Sequence, residues 1–139
     1  MLVGDGSAIP AISVALERLA PDATAFVFLE ADAIEDEIDL ASPADVQVIW
    51  VPTSVDGAVL VDAVRKAALP SGKLHGFIHG EAAMVRDIRF HLIKERGVDA
   101  SALSATPYWR TGHTDEAWRS VKKEWLKKQK DAEQFDAPL

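Results

Sequence analysis

The chain has 139 residues, 48% apolar and 27% charged, which suits one soluble globular domain with a respectable core. It has no cysteine, which excludes disulfides, thiolate metal sites and a cysteine nucleophile. The net charge of −7 hides a gradient: residues 1–60 hold eleven acids against one base, Arg18, while residues 61–139 hold eleven acids against fourteen bases.

That gradient has two readings. One is a solvated acidic face and a solvated basic helix; the other is an anionic ligand approaching the C-terminal half. Nucleic acid is not expected, because the acidic half repels it. No apolar run approaches the roughly 20 residues of a membrane span, and no signal-peptide pattern precedes Gly4, so the cytoplasm is the expected compartment.

Met1–Val3 reads as a short first strand, and GDGSAIPAI follows it at residues 4–12. From Ala8 to Leu19, Ile9, Ile12, Leu16 and Leu19 recur at helical spacing. The runs AFVFL (25–29) and VQVIWV (46–51) are continuously apolar, as buried strands are. A helix is expected over 58–68, a fourth strand over 74–79 and a helix over 81–96 closed by Gly97. Leu103–Trp109 reads as a fifth strand. Thr114 then caps a last helix, with Trp118, Val121 and Trp125 on its buried edge and a frayed tail over 131–139.

Buried strands alternating with helices predict an α/β fold: a five-stranded parallel sheet, doubly wound into three αβα layers, in the order 3-2-1-4-5. Such sheets bind ligands beyond the carboxyl ends of their strands, where the winding reverses. This selects the loops after strands 1, 4 and 5.

In the first loop Gly4 and Gly6 match the start of a G-x-G-x-x-G fingerprint, but Ile9 stands where its last glycine belongs. Ser7 offers a hydroxyl, the following helix offers its positive end, and Pro10 is tolerated in the first turn. Asp5 would repel a phosphate, so it is expected to bind backbone N–H groups or to face the nicotinamide and its surroundings. A plain strand-to-helix turn without a ligand is the competing reading. Glu30 ends strand 2, where nucleotide-binding sheets keep an acid for ribose hydroxyls and where a carboxylate favours NADH over NADPH; a merely solvated acid is the alternative.

After strand 4, Gly80 permits a close backbone approach and Glu81 suits a helix start. His75 and His79 would lie about 13 Å apart along a strand, too far to share an ion, and no metal site is expected. The stretch TPYWRTGHTDEAWR (106–119) is the most distinctive. Tyr108 and Trp109 could stack on a planar ligand, and Arg110 and Arg119 supply forked donors for anions.

Three stretches, GDGSAIPAI, HGEAAMVRDIRFHLIKERGV and SATPYWRTGHTDEAW, resemble in order and spacing the C-terminal domain of the siderophore-interacting proteins. These are flavin-dependent ferric-siderophore reductases related to ferredoxin-NADP reductases. The family wording is close to G-D-E/T-T/S-A-x-P-A-I, G-E-A-x-x-V/M-R-x-L/I-R-x-x-L and Y-W-R/K-x-G-x-x-E/D-E, and the resemblance covers essentially residues 1–126. Gly6 departs from it, standing where an acid is commoner.

The resemblance implies an NAD(P)H-binding, siderophore-interacting domain over 1–130, with FAD held by an N-terminal β-barrel that is absent from this chain. It implies that Gly4, Ser7 and Ala8 cradle pyrophosphate, and that Gly80, Glu81 and Ala82 line the nicotinamide pocket. Arg110, with Arg119, Lys122 and Lys123, would attract a negatively charged ferric siderophore. No catalytic side chain is implied, and no activity is expected without the FAD domain. The face that meets the FAD domain should be apolar and uncovered, open to a homodimer. A stand-alone module binding a siderophore or a partner reductase is the alternative. A phosphorylated receiver domain is disfavoured, because VPTS occupies the end of strand 3 where such a domain needs an acid.

Overall fold

A computed structural model of the chain describes residues 1–69 and 71–134. Its strands are β1 (Leu2–Gly4), β2 (Thr24–Ala31), β3 (Asp45–Pro52), β4 (Gly76–Glu81) and β5 (Leu103–Trp109). Its helices are α1 (Ile9–Glu17), α2 (Ala58–Lys66), α3 (Ala82–Phe90) and α4 (Asp115–Gln134). All strand pairs are parallel and the sheet order is β3-β2-β1-β4-β5, as the alternation of apolar runs predicts.

The central strands are apolar on both sides because both of their faces are covered. On one face α1 packs Ile12 and Leu16 against Leu2, Val27 and Leu29. On the other, α2 and α3 pack Leu60, Val64, Ile88 and their neighbours against Val3, Phe28 and Ile78. Helix α4 lies on that same side, where Trp125 and Leu126 share a cavity with Val85 of α3 and Leu103 of β5. Consecutive residues of β2 therefore face opposite layers: Leu29 belongs to the α1 side, and Phe28 to the α2–α3 side.

Several boundaries differ from the sequence reading. The connection from β2 to β3 carries no α-helix, only a short turn at Ile34–Asp36. Its acids leave Ile34 and Ile38 without a continuous apolar stripe, and both are exposed. Strand β4 starts at Gly76 rather than Leu74 and runs on to Glu81. The helix expected over 81–96 is α-helical only to Phe90 and then widens into a π-turn at His91–Glu95. There, buried His91 bonds Glu95, and Arg96 reaches the carbonyls of Arg65 and Ala67 at the end of α2. Gly97 has φ +68°, as its capping position demands.

Thr114 does cap α4, accepting from the amide of Ala117 at 3.1 Å. Trp118 is buried and meets Trp125 edge-to-face at 5.6 Å, but Val121 is exposed rather than part of that edge. The expected frayed tail does not begin at 131, because α4 continues to Gln134. A two-pronged ion pair holds that last turn: Arg89 Nε and Nη2 donate to Glu133 at 2.6 and 3.2 Å. Residues 135–139 lie outside the described residues.

Candidate functional site

The loops after β1, β4 and β5 meet at one rim of the sheet, and the Asp5 carboxylate is what joins them. Asp5 is buried and caps the short turn Gly6–Ala8. Its Oδ1 accepts from the amide of Ser7 at 2.9 Å and from the Ser7 hydroxyl. Its Oδ2 accepts from the amide of Glu81 at 2.8 Å and from the indole Nε1–H of Trp109 at 2.9 Å. Donors 76 and 104 residues away along the chain thus converge on one oxygen.

Gly80 makes that convergence possible. Its φ of +138° disfavours any side chain, and a Cβ there would stand 2.6 Å from Asp5 Oδ2. The close approach expected of Gly80 is real, and the group approaching it is the Asp5 carboxylate. The β4–β5 ladder also shifts register here: Gly80 pairs with Pro107 but Glu81 with Trp109, leaving Tyr108 as an extra residue. Such a bulge re-aims side chains at a strand end. Tyr108 turns its hydroxyl to His79 Nδ1 at 2.9 Å, while Trp109 reaches Asp5.

Glu81 is a buried helix-start acid, as its position suggests. Its Oε2 accepts from the amide of Met84 at 3.0 Å, and its Oε1 from the amide of Thr111 at 3.2 Å, tying the turn after β5 to α3. Glu30 is buried too, but its Oε1 has no hydrogen-bond partner among the described residues. Burial, then the neighbouring charge of Asp5, pushes its carboxyl up to about 7; the Ser54 amide opposes this, and Asp32 and Glu81 add to it. Burial disfavours the charged form of His79 as well and so lowers its pKa, with the Ser104 backbone opposing the shift.

The structure separates the remaining sequence candidates. Gly4 packs tightly, since a Cβ would stand 2.6 Å from that of Ala8. Ala8 and Ala82 are buried, with their methyl groups in the core. The amides of Ser7 and Ala8 already donate to the side chain and carbonyl of Asp5, so neither is a free phosphate donor in this arrangement. Ser7 and Pro10 are exposed at the rim. Tyr108 and Trp109 each stay about 40% exposed (38% and 40%) and are anchored to different partners, His79 and Asp5.

Arg110 is half-buried, Arg119 and Lys123 are exposed, and Lys122 is half-buried. None of the four has an ion-pair partner among the described residues. None of them lines the cleft between the loops either.

That cleft, about 510 Å³, includes Thr111 and Gly112 of the selected loop after β5, and also residues the sequence reading did not select, Thr53–Gly57 after β3. The rule that ligands gather at strand carboxyl ends applies to β3 as well, and the VPTS stretch was the available signal. Among the described residues no group of His, Asp and Glu could hold a metal ion, and no helix is long and apolar enough to cross a membrane.

The family model described as "Siderophore-interacting protein" matches residues 1–112, which contain every loop of this rim. The chain belongs to the siderophore-interacting protein family. An uncharacterised protein of Mycobacterium tuberculosis (strain H37Rv) is 44% identical over 137 residues, a match covering 89% of this chain and 48% of that protein. The ferric vibriobactin reductase ViuB of Vibrio cholerae is 35% identical over 122 residues, covering 85% of this chain and 45% of the reductase. Among solved structures, the siderophore-interacting protein SipS from Aeromonas hydrophila superposes with a TM-score of 0.80 at 31% identity, covering 91% of this chain and 51% of SipS. The chain therefore spans about half the length of the relatives it matches.

Proposed function

We propose that this chain is the NAD(P)H-binding part of a flavin-dependent ferric-siderophore reductase, working with a FAD-binding β-barrel outside these 139 residues. The observation that supports this reading is the Asp5 hub, which ties the loops after β1, β4 and β5 together at one rim, at the winding reversal of the sheet. A relative that covers much of this chain is a ferric vibriobactin reductase, which supplies the substrate class.

A bound dinucleotide would supply hydride-level reducing power, and a flavin in the other domain would divide it into the single electrons that Fe(III) accepts. The chain's own residues position and exclude. Trp109, pinned through Nε1, offers a fixed aromatic wall. Ser7 and Pro10 stand at the exposed start of α1, where the helix end favours a negatively charged group. The exposed apolar surface of Val55, Tyr108 and Trp109 around the rim suits a covering flavin domain, or a second copy where none is present.

Arg110, Arg119, Lys122 and Lys123 would draw in the negatively charged siderophore. Iron here is substrate. Hard oxygen donors hold Fe(III) far more tightly than Fe(II), so reduction frees the metal. Localisation in the cytoplasm is part of the same proposal, since the dinucleotide pool lies there.

The test has two arms. Calorimetric titration of the chain with NADH and NADPH should show weak dinucleotide binding. Joined to a FAD-binding half, the chain should reduce a ferric catecholate, scored by ferrozine capture of Fe(II). Siderophore binding with neither dinucleotide binding nor reduction would instead support a stand-alone binding module.

A further inference from the structure

The two edges of the sheet are finished differently. The β5 edge carries Pro107 and the bulge at Tyr108, both of which interrupt strand pairing. The β3 edge carries neither device. Its ladder with β2 runs unbroken from the Thr24–Asp45 pair to the Ala31–Pro52 pair, so its one proline stands at the very end. Asp45 is its one charged residue. Val48 and Ile49 point to opposite faces, and each is more than a third exposed (37% and 38%).

The main chain of β3 is open as well. The amides of Asp45 and Thr53 donate to the carbonyls of Ala23 and Ala31 on the β2 side. Along a strand, main-chain polar groups turn alternately to one neighbour and the other. The odd-numbered residues are therefore spent on β2, while Val46, Val48 and Trp50 turn their N–H and C=O groups away from it. No further strand of the sheet lies there. An edge that is apolar in its side chains and unpaired in its main chain is a template for another strand.

We propose that this edge pairs with the same edge of a second copy, antiparallel and about a two-fold axis at Val48, to make one continuous sheet. The register comes from the strand itself. Residues that face each other must both turn their main chains outward, so only residues of equal parity can pair. With Val48 opposite the second copy's Val48, Val46 falls opposite Trp50, and every outward N–H of these residues meets an outward C=O. Their side chains make one apolar row, and Asp45 falls opposite Val51 rather than opposite another acid. The strand is complementary to itself, as an isologous contact requires, and that self-match selects a second copy over a foreign strand. This face is distinct from the apolar rim at Val55, Tyr108 and Trp109.

The intact chain is followed by sedimentation velocity from micromolar to sub-millimolar concentration, at high salt to screen the repulsion between chains of net charge −7. A monomer–dimer equilibrium is expected. Val48→Lys sets like charges against each other on the axis and should weaken dimerisation at least about tenfold. Circular dichroism of the dilute variant should match the parent, because Val48 is exposed and sheet edges tolerate lysine. Single cysteines then read the register, since the chain has none of its own. Under mild oxidation Val48→Cys should yield a linked dimer, its two copies lying within disulfide reach. Val46→Cys should not, with its counterpart about 13 Å further along the strand. Ser104→Cys, on the β5 edge, should not either.

A monomer at every concentration overturns the pairing and leaves the edge to a strand from another protein. A dimer that Val48→Lys leaves intact is held by another face, such as the rim, and overturns it too. Linking of Val46→Cys or Ser104→Cys as readily as Val48→Cys refutes the two-fold at Val48.

Discussion

Replacing Asp5 with alanine should loosen the rim at three places at once. The carboxylate accepts from the Ser7 amide and hydroxyl, the Glu81 amide and the Trp109 indole. Ser7 is exposed and can turn to water, so its loss is small. The Glu81 amide is buried and the indole N–H partly so. Each unsatisfied donor of that kind costs about 1–3 kcal/mol. One term opposes the loss: the Asp5 charge helps hold the Glu30 carboxyl up at about 7, and removing it relieves that repulsion.

The balance is a destabilisation of about 2–4 kcal/mol, a large part of the 5–15 kcal/mol of an ordinary domain. It should lower Tm by roughly 10 °C. Thermal unfolding followed by circular dichroism measures the total. Hydrogen exchange at the Glu81 amide and the Trp109 indole shows whether the loss is local. A Tm within 2 °C of the parent chain, with both sites still protected, would refute the claim that Asp5 joins the three loops.

Gly80→Ala places a methyl against the Asp5 carboxylate at a φ of +138°, and should cost about 2–4 kcal/mol with loss of protection at Glu81; a neutral effect in denaturant melts would contradict the geometry. Glu30 gives a pH signature. Its folded pKa of about 7 lies above the ordinary 4.5, so the folded state binds more protons and this group's contribution to stability falls as pH rises from about 4.5 to 7. Glu30→Gln removes that slope: it should be more stable than the parent by about 1–2 kcal/mol at pH 8, the shift being discounted for solvent screening, with little difference at pH 4.5, compared through denaturation midpoints. A constant difference across that range would show that Glu30 titrates normally. Charge reversal of Arg110, Lys122 and Lys123 together should weaken binding of an anionic ferric catecholate about tenfold at low salt and far less at 0.5 M salt, read by tryptophan quenching. A salt-independent effect, or none, would place the siderophore elsewhere.

Much of the site was open to reading from local patterns. The glycine turns, the helix-start acid Glu81 and the Tyr108-Trp109-Arg110 corner were all selected from the chain, because turns, caps and strand ends announce themselves within a few residues. Asp5 was harder. Beside a phosphate loop it reads as a misfit, and its actual partners are an amide and an indole contributed by β4 and β5. The β3 loop was overlooked for a similar reason: Thr53–Gly57 carries no motif and matters only because the sheet brings it beside Glu30 and Thr111. Arg119, Lys122 and Lys123 are the converse case. Their charge was legible, but α4 carries them away from the cleft lining.

Sequence alone determined the parallel sheet and its order, because strands apolar on both faces, alternating with amphipathic helices, leave few ways to bury themselves. It also picked out the three loops, after β1, β4 and β5, that the structure brings together at one rim. Only the tertiary structure decided which carboxylates are already satisfied there. Whether an acid is a brace, like Asp5, or an open acceptor, like Glu30, depends on donors supplied from across the sheet, and that pairing has no signature in the residues on either side of it.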